Sequence, residues 1–271
     1  MAKTIPLKMA SIKFQKKNIF FTDEGKGKAI VLLHGFTESS KIWTGFASKL
    51  TGKYRVITID LPGHGKSGRV ASIHTMELMA DVVYAVLKKA GIGKSVMIGH
   101  SMGGYVALAF AEKYPKMLKG FGLFHSHCFA DSMEDIANRK RTIAIVDKDK
   151  FSFVAQFIPG LFPMEVHKQF AKQIERLVQR ASKMDKESVI AALEGMKSRK
   201  DQTALLKETT LPVLFILGLK DSRAPITKLW EMISLPAISH TLLLKECGHM
   251  GYIEAPEETF GALLNFAKSY L

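Results

Sequence analysis

Cysteine is scarce: only Cys128 and Cys247 occur in 271 residues. No disulfide framework is expected, and two reduced thiols are the plain reading. There is no run of about 18 apolar residues, so no membrane span is expected. The opening Met-Ala-Lys-Thr-Ile-Pro-Leu-Lys-Met has no apolar stretch of signal-peptide length, and a cytoplasmic protein is expected. Low-complexity tracts and internal repeats are also missing. Acidic residues are the scarcer charge: 25 Asp and Glu against 39 Lys and Arg leave a net +14. That excess is concentrated in the first 28 residues and dispersed thereafter. With no Arg-rich run interleaved with aromatics, a nucleic-acid partner is not expected. The basic surface favours anionic substrates or partners only as a bulk field.

What is present is a chain of ordinary globular composition, 47% hydrophobic and 24% charged. Its length suits one large domain, or one domain with an insertion. Short apolar runs alternate with helical patterns. Lys8–Phe14 and Asn18–Thr22 read as a hairpin. Ala29–Leu33, Tyr54–Asp60, Ser95–Ile98, Gly120–Phe124, Val213–Leu217 and His240–Leu244 read as strands, several of them apolar enough to be buried on both faces. Between them, Thr75–Ala90 carries one wide apolar face, Met102–Tyr114 is helical up to Pro115, and Glu257–Tyr270 follows Pro256. This rhythm predicts a mostly parallel sheet with helices on both sides.

Residues 126–210 break the rhythm. They lack strand-like runs and read as several helices, one beginning at Pro163 and one capped by Asp185. The stretch is too long for a plain loop and reads as a helical lid at the catalytic edge of the sheet.

In Val96-Met-Ile-Gly99-His100-Ser101-Met102-Gly103-Gly104, an apolar strand runs directly into Gly-x-Ser-x-Gly and then a helix. A serine hydroxyl becomes a useful nucleophile only where a base and a substrate can both reach it. A sharp strand-to-helix turn exposes it, and the small Gly99 and Gly103 tolerate the strain. The helix directs its N-terminal amides at the place where negative charge develops.

His249, in Cys247-Gly-His-Met-Gly251, follows the last strand and is the expected base. Asp221, after the strand ending at Leu217, is the expected partner of its other ring nitrogen; Asp131 is the rival. The order Ser, Asp, His fits a nucleophile-elbow hydrolase. The backbone amides of Phe36 and Met102 are the expected oxyanion donors.

On these residues the chain resembles the α/β-hydrolase superfamily, in its single-domain capped branch. The resemblance rests on His34-Gly35-Phe36, Asp60-Leu-Pro-Gly63-His-Gly65-Lys-Ser67, Gly99-His-Ser101-Met-Gly103-Gly104, Asp221 and Gly248-His249. It implies an eight-stranded, mostly parallel sheet with a helical cap inserted after the sixth strand. Residues 1–125 and 211–271 would form the core and 126–210 the cap. Within the superfamily the chain is similar to carboxylesterases and cofactor-free haloperoxidase-like (perhydrolase) enzymes. Relatives acting on epoxides or carbon–halogen bonds carry aspartate where this chain has Ser101, which argues against those activities.

The expected reaction is hydrolysis of a small, apolar acyl ester through an acyl-enzyme, with no cofactor. Carbon–carbon bond cleavage of a keto-acid by the same triad is one alternative. A ligand-sensing receptor with a slow or unused triad is another. His125-Ser-His127-Cys128 invites a metal, but no second ligand pair accompanies it, and no metal is expected. Instead His34, His125 and Phe129 are expected to line the substrate pocket. The phenylalanines between Phe151 and Phe162 are either core or an acyl pocket. The oligomeric state is not legible.

Overall fold

A computed structural model of the protein describes residues 9–224 and 226–271. Lys8, where the first strand was expected to begin, and Pro225 lie outside the described residues, as does nearly all of the opening segment read for a signal peptide. Eight strands form one sheet: β1 (Met9–Phe14), β2 (Lys17–Glu24), β3 (Ala29–Leu33), β4 (Arg55–Ile59), β5 (Ser95–His100), β6 (Leu118–Phe124), β7 (Val213–Gly218) and β8 (Ser239–Leu244). Their order is β1-β2-β4-β3-β5-β6-β7-β8. The β1–β2 and β2–β4 pairs are antiparallel and the rest parallel. Gln15 and Lys16 close the first hairpin, both with positive φ, as a two-residue turn matched to strand twist requires.

Ten helices occur among the described residues. They are α1 (Thr44–Leu50), α2 (Met76–Lys89), α3 (Met102–Lys113), α4 (Met133–Phe157), α5 (Ala171–Ser182), α6 (Lys186–Lys197), α7 (Thr203–Glu208), α8 (Ile226–Ile233), α9 (Gly251–Glu254) and α10 (Pro256–Tyr270). None is long and apolar enough to cross a membrane.

The central strands read as continuous apolar runs because both their faces are covered. Every residue of β3 is buried. Ile30 and Leu32 join the cluster of Phe46 and Leu50 from α1 and Leu263 and Phe266 from α10. Val31 and Leu33, pointing the other way, join Met79, Val82 and Val86 of α2 and Val106 and Phe110 of α3. The side-chain period of two thus builds one core above the sheet and one below.

Between β6 and β7 come α4, α5, α6 and α7. Ser132 opens α4 with a reciprocal capping box to Asp135. At Asp149 the backbone leaves helical geometry (φ −151°, ψ 84°), and its carboxylate accepts from the Ser152 amide at 3.0 Å, starting a second helical segment. Asp185 caps α6 as expected, accepting from the Ser188 amide. The helix expected from Pro163 begins only at Ala171. Met164–Val166 makes a single tight turn, and Phe170 is held outside helical geometry, its ring against Phe162.

Because β3 and β5 to β8 run parallel, their carboxyl ends share one edge. In open α/β sheets this is the edge where ligands bind. The residues just past those ends include Gly35, Ser101, His125, Asp221 and His249.

Candidate active site

Ser101 sits between β5 and α3 at φ 49°, ψ −116°, a conformation costly for a residue with a side chain. The turn is held by the Ser101 amide donating to Phe124 O at 2.8 Å and the Gly104 amide donating to Ser101 O at 2.8 Å. It also requires a close approach at Gly103, where a Cβ would stand 2.6 Å from Leu33 O. Any side chain there would push α3 off β3.

Ser101 Oγ lies 2.9 Å from His249 Nε2. His249 Nδ1 lies 2.8 and 3.0 Å from the two oxygens of Asp221. The hydroxyl can therefore donate to the imidazole, and the imidazole to the carboxylate. Asp221 also accepts the amides of Arg223 (2.7 Å) and Ala224 (3.1 Å), and lies 3.2 Å from His125 Nδ1. Burial alone would raise the Asp221 carboxyl, but the neighbouring charge and hydrogen bonds of His249 and His125 hold it well below the usual carboxylate range. An ionised, buried acid behind the imidazole fixes its tautomer and stabilises it once protonated.

Asp131 does not take this part. It is buried between Arg139 and Arg199, 2.5 Å from Arg199 Nη1.

Phe36 lines the same cavity as Ser101, and Met102 follows Ser101 directly in the chain. Met102 begins α3, and its amide is one of the first-turn donors a helix leaves without an intrahelical partner. Phe36 follows Gly35, where a Cβ would stand 3.2 Å from the Ser101 Cβ. Among the described residues neither amide has a protein acceptor.

The expectation that His34 and His125 line the pocket is corrected. His34 is fully buried, with Nδ1 on Gly35 O (2.8 Å) and Nε2 accepting the Leu61 amide (2.9 Å). It pins the loop after β3 from behind. His125, also buried, turns inward to Asp221; its φ of 49° directs it there. Burial pushes the His125 imidazole down to about 4. Phe129 does line the cavity.

The His125-Ser-His127-Cys128 group disperses. His127 lies 3.1 Å from Tyr105 Oη and accepts the Phe129 amide, while Cys128 faces Thr203. The donor atoms of His125, Asp221 and His249 do lie within 4.8 Å of one another. Asp221 instead meets both rings directly, at 3.2 and 2.8 Å, as hydrogen-bond partners.

Sequence reasoning missed a buried ion pair beneath the serine. Glu38 Oε2 lies 3.0 Å from His100 Nδ1 and accepts the Gly35 amide at 2.6 Å, while Oε1 accepts Tyr252 Oη at 2.8 Å. His100 Nε2 donates to His249 O at 2.9 Å. Burial would raise Glu38, but the charge and hydrogen bond of His100 hold it at about 2. Burial would lower His100, but Glu38 raises it. Glu254 was missed as well; it accepts the amides of Gly248 and Met250 at 2.9 Å and so clamps the His249 loop. The usable signal was a run of buried-looking polar residues beside each motif, Glu38 after His34-Gly35 and His100 before Ser101.

Ser101 and His249 open into a cavity of about 800 Å³. Its far wall comes from the helical segment, including Phe153 and Phe157 of α4 and Leu193 and Met196 of α6. Phe153 and Phe157 stack on each other and meet Phe36 across the cavity. They belong to the pocket, whereas Phe162 is buried core and Phe151 is exposed.

A family model described as alpha/beta hydrolase fold matches residues 28–256. A thermophilic esterase from Thermogutta terrifontis, solved with malate bound, is 31% identical, with a TM-score of 0.91 over 97% of this chain and 99% of that one. A pimeloyl-[acyl-carrier protein] methyl ester esterase from Nitrosomonas europaea is 26% identical over 89% of this chain and 96% of its own length. The dihydrolipoyllysine-residue acetyltransferase component of an acetoin cleaving system from Pseudomonas putida is 27% identical over 90% of this chain, which spans 64% of that relative.

Proposed function

The chain belongs to the α/β-hydrolase family, and from that premise we propose that it hydrolyses small carboxylic esters through an acyl-enzyme, with Ser101 as nucleophile, His249 as general base and Asp221 orienting the base. The observation that carries the reading is the unbroken chain from Ser101 Oγ through His249 (2.9 Å) to the Asp221 carboxylate (2.8 Å).

Ser101 Oγ attacks the ester carbonyl while His249 Nε2 takes its proton. The carbonyl oxygen becomes an oxyanion held by the amides of Phe36 and Met102. As the intermediate collapses, the bond to the alcohol oxygen breaks and His249 returns its proton to that oxygen. Water then repeats the sequence on the acyl-serine, releasing the acid and restoring the hydroxyl. Asp221 stays ionised throughout, in keeping with a pKa held well below the usual carboxylate range.

Residues 126–210 act as a cap over a core of residues 1–125 and 211–271. The cap supplies the aromatic and aliphatic wall that receives the acyl group. The esterase names of two of the relatives above agree with this substrate class.

Replacing Ser101 with Ala leaves a folded protein and lowers kcat on p-nitrophenyl butyrate by about 10⁴-fold or more. The same variant fails to label with a fluorophosphonate probe. Unchanged turnover would remove Ser101 from the mechanism.

A further inference from the structure

The cavity is not uniformly apolar. Arg139, Arg141, Arg199 and Arg223 line it, with Asp131 and Asp135 as the acids. The arginines are not equivalent. Arg139 and Arg199 both close on Asp131, and Arg199 is further fixed by Phe129 O (3.0 Å) and Met196 O (2.8 Å). Arg141 is exposed and hydrogen-bonds Asn138.

Arg223 differs. Its guanidinium lies 4.9 Å from the Phe157 ring centroid, and among the described residues no carboxylate is within ion-pair distance of it. The loop that carries it is fixed at both ends of a short reach. The Arg223 and Ala224 amides donate to Asp221, and Ser222 Oγ donates to Gly160 O at 3.1 Å. The backbone that carries the cation is therefore tied to the same carboxylate as His249, and both residues line the same cavity.

A guanidinium over an aromatic ring with no carboxylate partner matches a carboxylate, which it can bind in a bidentate manner. One open fork neutralises one negative charge. A phosphate dianion would call on a second cation; Arg139 and Arg199 are already committed to Asp131, which leaves Arg141, bonded to Asn138.

Resting on the Ser101 reading, we propose that the cavity selects an ester carrying a second, ionised carboxyl group, with Arg223 as the residue that binds it. The apolar stretch of Phe36, Phe153 and Phe157 then receives the methylene chain between ester and carboxylate. This refines the expectation of a purely apolar acyl group.

The test compares p-nitrophenyl hydrogen adipate with its uncharged methyl ester twin, both followed by p-nitrophenolate release. The charged ester is expected to have a kcat/KM about 10-fold higher, carried mostly by KM, the scale of one charge-assisted hydrogen bond. The preference shrinks with added salt. Arg223→Met removes most of it, and Arg223→Lys restores part. A ratio near one in the native protein, or a ratio unchanged in Arg223→Met, overturns the proposal. A greater preference for a phosphonate-bearing analogue overturns the carboxylate assignment.

Calorimetric titration of adipate into the native protein and into Arg223→Met decides the site without any turnover. Binding weakened about 10-fold in the variant supports it, and equal binding sinks it. If neither ester is cleaved and Ser101 does not react with a fluorophosphonate, the ester-hydrolase reading has failed, and the titration still decides Arg223.

Discussion

The sheet edge and the helical segment that faces it are built in opposite ways. At the edge, each proposed reacting group is fixed several times over. Ser101 is held by a strained turn, Asp221 by two amides and two imidazoles, and His249 by a loop clamped through Glu254 and by the His100 bond to its carbonyl. The helical segment is held by caps and amphipathic faces, and much of its surface is charged and exposed. The contrast teaches a division of labour. The edge stores geometry that the chemistry needs to within tenths of an ångström, while the helices supply walls and charges that can vary without disturbing it.

Acid should break the comparison most forcefully, because four of the five histidines whose charge burial disfavours lie outside residues 126–210. His64, His74 and His125 are buried in the core, and burial pushes their imidazoles down to about 3, 4 and 4. In the unfolded chain each takes a proton near 6.5, so the unfolded state binds more protons below that pH and stability falls as pH drops from 6.5 toward 4. Each pH unit costs up to about 1.4 kcal/mol per histidine, and the sum rivals the 5–15 kcal/mol that holds a domain together. His100 has the opposite sign, since its raised pKa favours the fold below 6.5, but it stands against these three and against His34 and His127, which burial also lowers. Denaturant midpoints at pH 7, 5.5 and 4.5 should fall steeply, with activity and near-ultraviolet dichroism lost ahead of helix content. A flat profile over this range would contradict neutral burial of these rings.

The same contrast explains what the sequence made legible. Strands buried on both faces appear as continuous apolar runs, and a nucleophile turn demands glycine at fixed offsets, so β3, β5 and the Ser101 turn could be located directly. Asp221 and His249 were found because they follow strand ends. Their supports were harder to find. Glu38 and Tyr252 meet across 214 positions, and no local pattern announces such a pair. The direction of a side chain was equally hidden. His34 and His125 stand at the correct edge yet turn away from the cavity to bond backbone and carboxylate. In the helical segment, Val166 and Phe170 fit the spacing of a helix from Pro163, but Met164–Val166 makes only a tight turn and Phe170 stands outside helical geometry at φ −103°, ψ 17°. α4 was blurred by its charge-rich sequence and by the break at Asp149.

A smaller break isolates one support of the edge. Glu38→Gln keeps the shape but removes the charge that faces His100. The variant leaves a buried imidazolium without its counter-ion, a loss of about 3–5 kcal/mol for a broken buried pair. Urea denaturation should report that loss. kcat should fall as well, because the Gly35 amide, which anchors the loop carrying the Phe36 amide, exchanges a charged acceptor at 2.6 Å for a neutral one. KM for a neutral ester should move little. If stability falls while kcat holds, the ion pair serves the fold alone and the loop is fixed by His34.

The smallest expected effect comes from the helical side and sharpens the contrast by its weakness. Ser132→Ala deletes the cap that satisfies the Asp135 amide at 3.1 Å, at a cost of about 1 kcal/mol, most of it local to the first turns of α4. Amide hydrogen exchange over residues 133–136 should quicken by about 5-fold, the equivalent of that free energy. Arg139, Thr142 and Ile145 project from this half of α4 into the cavity, so fraying loosens the wall that grips the substrate. KM should therefore rise a few-fold, while kcat stays within the error of the native enzyme, because Ser101, His249 and Asp221 take no support from Ser132. A fall in kcat matching the rise in KM would mean that the helices help to set the reacting geometry, and the division of labour between edge and cap would have to be abandoned.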